Sequence, residues 1–293
     1  MMREVWGYEE FRPLQERAML AGISGQDSLV VLPTGGGKSL CYQVPALCLE
    51  GMAVVISPLI SLMKDQVDAL RANGVSAEFI NSTLSPDEKR AIANDIAEQR
   101  VKLLYVAPER LSLQGLLDLL ASVQVSFFAI DEAHCVSMWG HDFRPHYRQL
   151  SILKQQFPKI AVHGYTATAT EPVRDDVVKQ LGLLDPEVLV GSFDRPNLMY
   201  RVERRDNLMG QITNVIERHK DESGIVYCIT RKEVDTICDA LKGAGYSALP
   251  YHAGMEDEAR KQNQEAFIED RCRTIVATIA FGMGIDKPDV RYV

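Results

Sequence analysis

No apolar run of about 18 residues occurs anywhere in the sequence, so neither a membrane-spanning helix nor a membrane partner is expected. The opening stretch, MMREVWGYEE, lacks the basic and then apolar pattern of a secretory leader. Cysteine is scarce and poorly spaced for chemistry: none of Cys41, Cys48, Cys135, Cys228, Cys238 and Cys272 forms a C-x-x-C pair. That argues against a disulfide framework and against a zinc site, and reduced thiols in a cytoplasmic setting are expected. An excess of positive charge is missing too. The net charge of −8 argues against a protein that coats nucleic acid by bulk charge. It leaves room for a local basic groove, because net charge says nothing about where charges sit. Low-complexity segments and short-period repeats are absent.

What is present reads as a globular α/β chain. The 293 residues are 46% hydrophobic and 25% charged, ordinary for a folded protein, and the length suggests about two domains. Short apolar runs at 28–32, 52–57, 102–107, 125–131 and 160–165 read as strands. They are apolar continuously rather than alternately, as strands are in a parallel sheet covered on both faces. Segments at 59–73, 87–99 and 146–157 read as the helices between them. Alternation of this kind predicts a doubly wound parallel sheet. The rhythm breaks between Asp185 and Gly210, where FDRPNLMYRVERRDNLMG has a proline, several charges and no clear period. A first domain over 1–192, a linker over 193–208 and a second α/β domain over 209–293 are therefore expected. The second reads as strands at 224–229 and 273–278, helices at 231–243 and 256–269, and a last strand in DVRYV.

The stretch LPTGGGKSLCYQ (32–43) poses a problem of spacing. A phosphate loop usually has a glycine five residues before its last one, and that position is Leu32. The rest of the pattern fits. SLVVL supplies a buried strand, and KSLCYQVPAL supplies the start of a helix. Thr34, Gly35, Gly36 and Gly37 supply a turn whose N–H groups can face phosphate. Lys38 would reach the β- and γ-phosphates, and the Ser39 hydroxyl would bind Mg2+. The competing reading is a glycine-rich turn with a solvated lysine. A second motif weighs against it: FFAIDEAH is an apolar strand ending in Asp131 and Glu132. A carboxylate there can hold Mg2+, and its neighbour can orient or deprotonate an attacking water. ATP or a related nucleotide with Mg2+ is the expected ligand.

From DEAH onward the chain resembles a superfamily 2 helicase, and further stretches resemble the RecQ family of DNA helicases. GYEEFRPLQ (7–15) resembles that family's motif 0, and LPTGGGKS its motif I, which also lacks the first glycine. SPLISLMKDQ (57–66) resembles motif Ia and YVAPERL (105–111) motif Ib. DEAHCVSMWGHDFRPHY (131–147) resembles motif II running into the aromatic-rich loop, and GYTATAT (164–170) motif III. IVYCITRKEVD (225–235) resembles motif IV; YHAGM (251–255) and ATIAFGMGIDKPDVRYV (277–293) resemble the motif V region. The resemblance implies two RecA-like domains, the second incomplete. It implies an ATP-dependent helicase moving 3′→5′ on single-stranded DNA and unwinding partly duplex DNA in recombination and repair, at the nucleoid in a bacterial or archaeal cell.

Carried over residue by residue, the resemblance makes Tyr8 an adenine-stacking face, with Arg12 and Gln15 hydrogen-bonding the base. An aromatic face with a fork of donors and an amide suits adenine; the competing reading is an ordinary N-terminal amphipathic helix. Lys38 and Ser39 then meet phosphate and Mg2+, Asp131 holds Mg2+ and Glu132 is the base. Trp139, His141, Phe143 and Arg144 couple DNA to ATP hydrolysis. An aromatic can stack on an unpaired base and an arginine can meet a phosphate; the competing reading places Trp139 and Phe143 in the core. Ser57, Arg110, Thr166 and Thr168 are weaker candidates for strand tracking or domain coupling. His252 and Asp286 are candidates on the second domain's side of the cleft, and His134 is one for bridging the domains. Departures from the family pattern are Met138 in place of glutamine, Tyr165 before TATAT, and Asp286 and Asp289 in place of asparagine. The chain ends before the family's Q-x-x-G-R-x-G-R motif, whose arginine is worth about 10³–10⁵ in turnover. A fragment of a longer product or an incomplete motor is expected. The rival readings are a superfamily 2 RNA helicase and a non-catalytic, nucleotide-dependent DNA-binding module.

Overall fold

The structure is a computed structural model that describes all residues except 59, 82–83, 112–113, 141, 143, 195–196, 280, 282–286 and 288, and the side chains of 60, 61 and 114. The chain divides into two compact units, Met1–Pro196 and Asn197–Val293.

Among the described residues the first unit is built on seven strands: β1 (Ser28–Val31), β2 (Met52–Ile56), β3 (Ala77–Ile80), β4 (Leu103–Val106), β5 (Val125–Ile130), β6 (Ala161–Thr166) and β7 (Glu187–Val190). They pair in parallel in the order β3-β4-β2-β5-β6-β1-β7. The helices are α1 (Met2–Trp6), α2 (Gln15–Ser24), α3 (Leu40–Cys48), α4 (Ile60–Ala72), α5 (Pro86–Ala97), α6 (Gln114–Ala121), α7 (Pro145–Arg148), α8 (Ile152–Gln156) and α9 (Glu171–Leu181). Strands β1, β2 and β4 are buried at every position, and successive residues feed opposite cores. Leu29, Val31, Val54, Ile56 and Phe128 join one apolar layer, and Val30, Ala53, Val55, Phe127 and Tyr165 join the other. A sheet covered on both faces has this pattern, with period two and both faces dry.

The sheet edges are different. β3 and β7 are short and partly exposed, and Glu187 of β7 pairs with Arg17. The segment expected as one helix over 146–157 is broken into α7, a tighter turn at Gln149–Ser151, and α8. Its first buried residues, Tyr147, Leu150 and Leu153, are three apart, and Phe157 follows four on. The three-residue steps suit the 3₁₀ turn between the two short helices. Ser85 and Glu88 form a reciprocal cap that fixes the start of α5.

The second unit holds α10 (Leu208–Arg218), α11 (Arg231–Gly243), α12 (Asp257–Ile268), β8 (Ser223–Tyr227), β9 (Ala248–Tyr251), β10 (Thr274–Ala277) and β11 (Val290–Tyr292). These strands are parallel, in the order β11-β8-β10-β9. Thr230 and Glu233 cap α11 reciprocally. Tyr292 lies against Gly224, where a side chain would collide with its ring, and its hydroxyl bonds Thr274 Oγ1 at 2.7 Å. Among the described residues no helix is long and apolar enough to cross a membrane.

Candidate functional site

In a parallel sheet every strand delivers its following loop to the same edge, and ligands collect there. At that edge of the first unit the chain is stitched strand to strand. Leu32 N–H donates to the Thr166 carbonyl at 3.1 Å, and Asp131 N–H donates to the Ile56 carbonyl at 2.8 Å. The loops after β1, β2, β5 and β6 are thus held side by side.

The loop after β1 turns at once. Gly36 N–H bonds the Pro33 carbonyl at 2.9 Å, and Gly35 and Gly37 take φ of 77° and 76°, which L side chains resist. Leu32, where a glycine was missing from the usual spacing, is a core residue at 3% exposure. The turn is therefore made by the three glycines after it. Ser39 stands at the N-cap position of α3. Lys38 Nζ donates to the Leu32 and Pro33 carbonyls at 3.2 and 3.4 Å. Burial lowers its pKa, while Glu132 and Asp131 work to raise it.

Asp131 and Glu132 follow β5. Tyr147 donates its hydroxyl to the Asp131 carbonyl at 3.0 Å, and Glu132 N–H donates to Asp131 Oδ1 at 3.0 Å. Burial, and then the charge of Glu132, push the Asp131 carboxyl up to about 7. Glu132 itself has φ 48°, a left-handed conformation that costs about 1–3 kcal/mol outside glycine and is found at functional turns. It aims a partly exposed carboxylate beside His134, whose Nδ1 lies 3.3 Å from Glu132 Oε2 and 2.7 Å from Thr166 Oγ1. A buried carboxylate raised in this way is returned to its charged form by a nearby cation. Among the described residues no group of three or more His, Cys, Asp or Glu could hold a metal. One carboxylate and one hydroxyl suit Mg2+, which takes few protein ligands and completes its shell with water and phosphate oxygen.

Arg12 and Gln15 reach the glycine turn directly. Arg12 Nη1 donates to the Gly35 carbonyl, and Gln15 Nε2 donates to the Gly37 carbonyl at 3.2 Å and the Gly36 carbonyl at 3.5 Å. Gln15 Oε1 accepts from Arg12 N–H at 2.8 Å, so both ends of this buried amide have partners within the chain. Residues 7–14 lie between α1 and α2, outside either helix, and Tyr8 is 52% exposed.

Trp139 is 79% exposed and not a core residue. Arg144 is engaged within the chain, with Asp142 Oδ2 at 2.8 Å and the Pro58 carbonyl at 3.0 Å. His141, Phe143 and Asp286 lie outside the described residues. Thr166 Oγ1 also accepts from Thr168 N–H at 3.3 Å, so the Thr166 hydroxyl serves both its local turn and His134. The Ser57 hydroxyl and Arg110 Nε are buried without a hydrogen-bond partner among the described residues. In the second unit His252 accepts from Gly254 N–H at Nδ1, so Nε2 carries the proton and donates to Asp235 at 3.1 Å. Tyr165, unexpected at its position, is fully buried and gives its hydroxyl to the Cys41 carbonyl at 3.3 Å.

Sequence reasoning did not single out three polar ties. Gln66 Nε2 donates to Ser39 Oγ at 3.4 Å, and Gln66 joins Gln43 and Tyr105 beneath the loop. Tyr147 steadies the Asp131 backbone, and Asp176 accepts from Ser137. The signal for Gln66 was its place in SPLISLMKDQ; nothing local pointed to Asp176.

Residues 12–176 match the DEAD/DEAH box helicase family, and residues 206–293 match the helicase conserved C-terminal domain. Over its whole length the chain is 47% identical to the ATP-dependent DNA helicase RecQ of Haemophilus influenzae, covering 47% of that protein. It is likewise 48% identical to the ATP-dependent DNA helicase RecQ of Pasteurella multocida, covering 46% of it. The fold resembles that of the Mycobacterium smegmatis helicase Lhr bound to ssDNA and AMP-PNP, with TM-score 0.70 at 20% identity over 97% of this chain and 42% of that one. The chain spans about half the length of the curated relatives it matches. The match to the first family covers more than half of the residues, and the chain belongs to the DEAD/DEAH box helicases.

Proposed function

We propose that this chain is the nucleotide-binding part of an ATP-dependent DNA helicase that moves 3′→5′ on single-stranded DNA and opens partly duplex DNA in recombination and repair. The observation that carries the reading is the meeting, at one sheet edge, of the glycine turn bearing Lys38 with buried Asp131 and its partly exposed neighbour Glu132. Lys38, now turned onto its own loop's carbonyls, exchanges them for the terminal phosphates. Ser39 and Asp131 would hold Mg2+, which when bound would supply positive charge to offset the charge that develops in phosphoryl transfer. Glu132 orients the attacking water and takes its proton. The strained backbone at Glu132 holds that carboxylate out of the core and toward the site.

Tyr8 stacks on adenine, and Arg12 and Gln15 meet its edge. Their existing bonds to the Gly35, Gly36 and Gly37 carbonyls tie base recognition to the turn that holds phosphate. Trp139, with its exposed indole, stacks on an unpaired base; Arg144, His141 and Phe143 complete the contact. The direction of movement rests on the resemblance to RecQ proteins alone.

The test is the affinity of this chain for a labelled single-stranded DNA and for RNA of the same sequence, repeated with Trp139→Ala. Stacking on an aromatic is worth about 1–3 kcal/mol per base, so the substitution should weaken DNA binding by roughly 5- to 150-fold. DNA should bind more tightly than RNA. Equal affinity for the two, or a Trp139→Ala chain that binds DNA as before, contradicts the proposal.

A further inference from the structure

We infer that Asp176 is the positioning residue that sets the turn presenting Trp139, by gripping the hydroxyl of Ser137. The inference deepens the reading of Trp139 given above and rests on it only for the DNA part of the test.

Trp139 is 79% exposed, so its indole gains little order from packing. Its direction depends on the backbone beneath it. That backbone is a tight turn: Gly140 N–H bonds the Ser137 carbonyl at 3.1 Å, and a side chain at 140 would strike the His134 carbonyl. Trp139 N–H donates to Ser137 Oγ at 3.2 Å. A hydroxyl can accept from any side until its own proton is committed. Here the proton is committed, because Ser137 Oγ donates to Asp176 Oδ2 at 2.6 Å. The oxygen lone pairs are then left to face the Trp139 N–H.

The carboxylate is itself fixed. Gln180 Nε2 holds Asp176 Oδ1 at 3.1 Å. Burial works to raise the Asp176 pKa, but the bonds from Ser137 and Gln180, with Arg148 and Lys179 nearby, bring it below the ordinary value. Asp176 lies on α9 between Val173 and Val177, which pack into the same core as Ala133, Cys135 and Val136. Ser137 is fully buried. The turn that follows the Asp131–Glu132 pair is thus tied to the β6–α9 segment twice, by His134 to Thr166 and by Ser137 to Asp176. The second tie is charge-assisted, the stronger kind of hydrogen bond.

The experiment uses the full chain carrying Trp6→Phe, so that Trp139 is the single tryptophan. Time-resolved fluorescence anisotropy of Trp139 is compared for Asp176→Ala, Asp176→Asn, Ser137→Ala and Ser137→Ala/Asp176→Ala, with no DNA present. Melting temperature and Mg2+-nucleotide affinity are followed as checks on the fold. The expected result is loss of the slow, whole-chain component of the Trp139 decay in Asp176→Ala, with nucleotide affinity unchanged. Asp176→Asn, whose amide oxygen still accepts from Ser137, should restore part of it. The double variant should be no worse than Ser137→Ala, because both changes break one bond. Where Asp176→Ala does not fold, Ser137→Ala breaks the same bond from the other side. A slow component equal to that of the parent chain in Asp176→Ala or in Ser137→Ala overturns the inference. Affinity for single-stranded DNA should fall about tenfold alongside the lost order. If the order is lost and DNA affinity does not move, the positioning role stands and the assignment of Trp139 to DNA fails.

Discussion

The buried charge of Asp131 should destabilise the first unit when no Mg2+ is present, and removing that charge should stabilise it. Burial and the charge of Glu132 raise its pKa from 3.8 to about 7, while Lys38 and His134 oppose the rise. A carboxyl raised in the fold stabilises it most below the unfolded value near 4, where both states are protonated. That contribution is lost as pH climbs through about 7, because the unfolded chain ionises freely and the folded chain does not. A tenfold change in proton affinity is worth about 1.4 kcal/mol, so the ceiling at pH 8 is roughly 4 kcal/mol. Asp131→Asn keeps an oxygen for the Glu132 N–H and removes the buried charge. That ceiling is already net of the attraction to Lys38; relaxation of the folded site around the charge takes back about half of it, leaving about 2 kcal/mol, or roughly 4–8 °C in a unit of this size. Both tryptophans, Trp6 and Trp139, lie in the first unit, so a fluorescence melt follows it alone. In Mg2+-free buffer Asp131→Asn should melt several degrees higher than the parent at pH 8, and the gap should shrink steadily toward pH 4.5. Mg2+ with nucleotide should raise the melting temperature of the parent far more than that of the variant. An Asp131→Asn chain that melts lower at pH 8, or a gap that ignores pH, would mean that the buried charge does not destabilise the first unit.

Gly37→Ala forces a Cβ into a φ of 76° and onto Gln15 Nε2, so about 1–3 kcal/mol of stability and most of the nucleotide affinity should go, read by melting and by titration calorimetry. Asp27→Ala, far from the glycine turn, removes an acceptor from the Val162 and Leu184 N–H groups and the partner of Lys154 at 2.7 Å. It should cost about 3–5 kcal/mol in denaturant unfolding with nucleotide affinity unchanged in the chain that remains folded. Glu132→Gln should keep nucleotide affinity and lower ATP turnover by roughly 10²–10⁴, measured as phosphate release.

The interior of the fold was legible because its strands are apolar at nearly every position, with few polar breaks such as Ser28, Ser126 and His163. β1, β2 and β4 are buried throughout, and nothing but a doubly covered sheet takes such runs. The edges were not legible. AEFI and EVLV, which form β3 and β7, are four residues long and partly exposed, and each carries a glutamate, so their pairing is decided by the neighbours they meet. In the site, the strand–glycine turn–helix order around Lys38 and the strand end at Asp131 are local features. The bonds that shape them are not. Gln15 to Gly37, Gln66 to Ser39 and Asp176 to Ser137 join residues 22, 27 and 39 positions apart. No periodicity carries that information, since each bond depends on where the sheet brings two loops. The left-handed backbone of Glu132 was hidden for a related reason: glutamate has no local preference for it, and the surrounding turn imposes it.

Whether the turn bearing Lys38 and the Asp131 carboxylate form one Mg2+-dependent nucleotide site is decided by titrating ATP into this chain with and without Mg2+, beside Lys38→Ala. Binding should tighten at least tenfold with Mg2+ and fall at least tenfold in Lys38→Ala, as a charge-assisted contact to phosphate requires. Binding that ignores Mg2+, or a Lys38→Ala chain that binds as well as the parent, would contradict a single site.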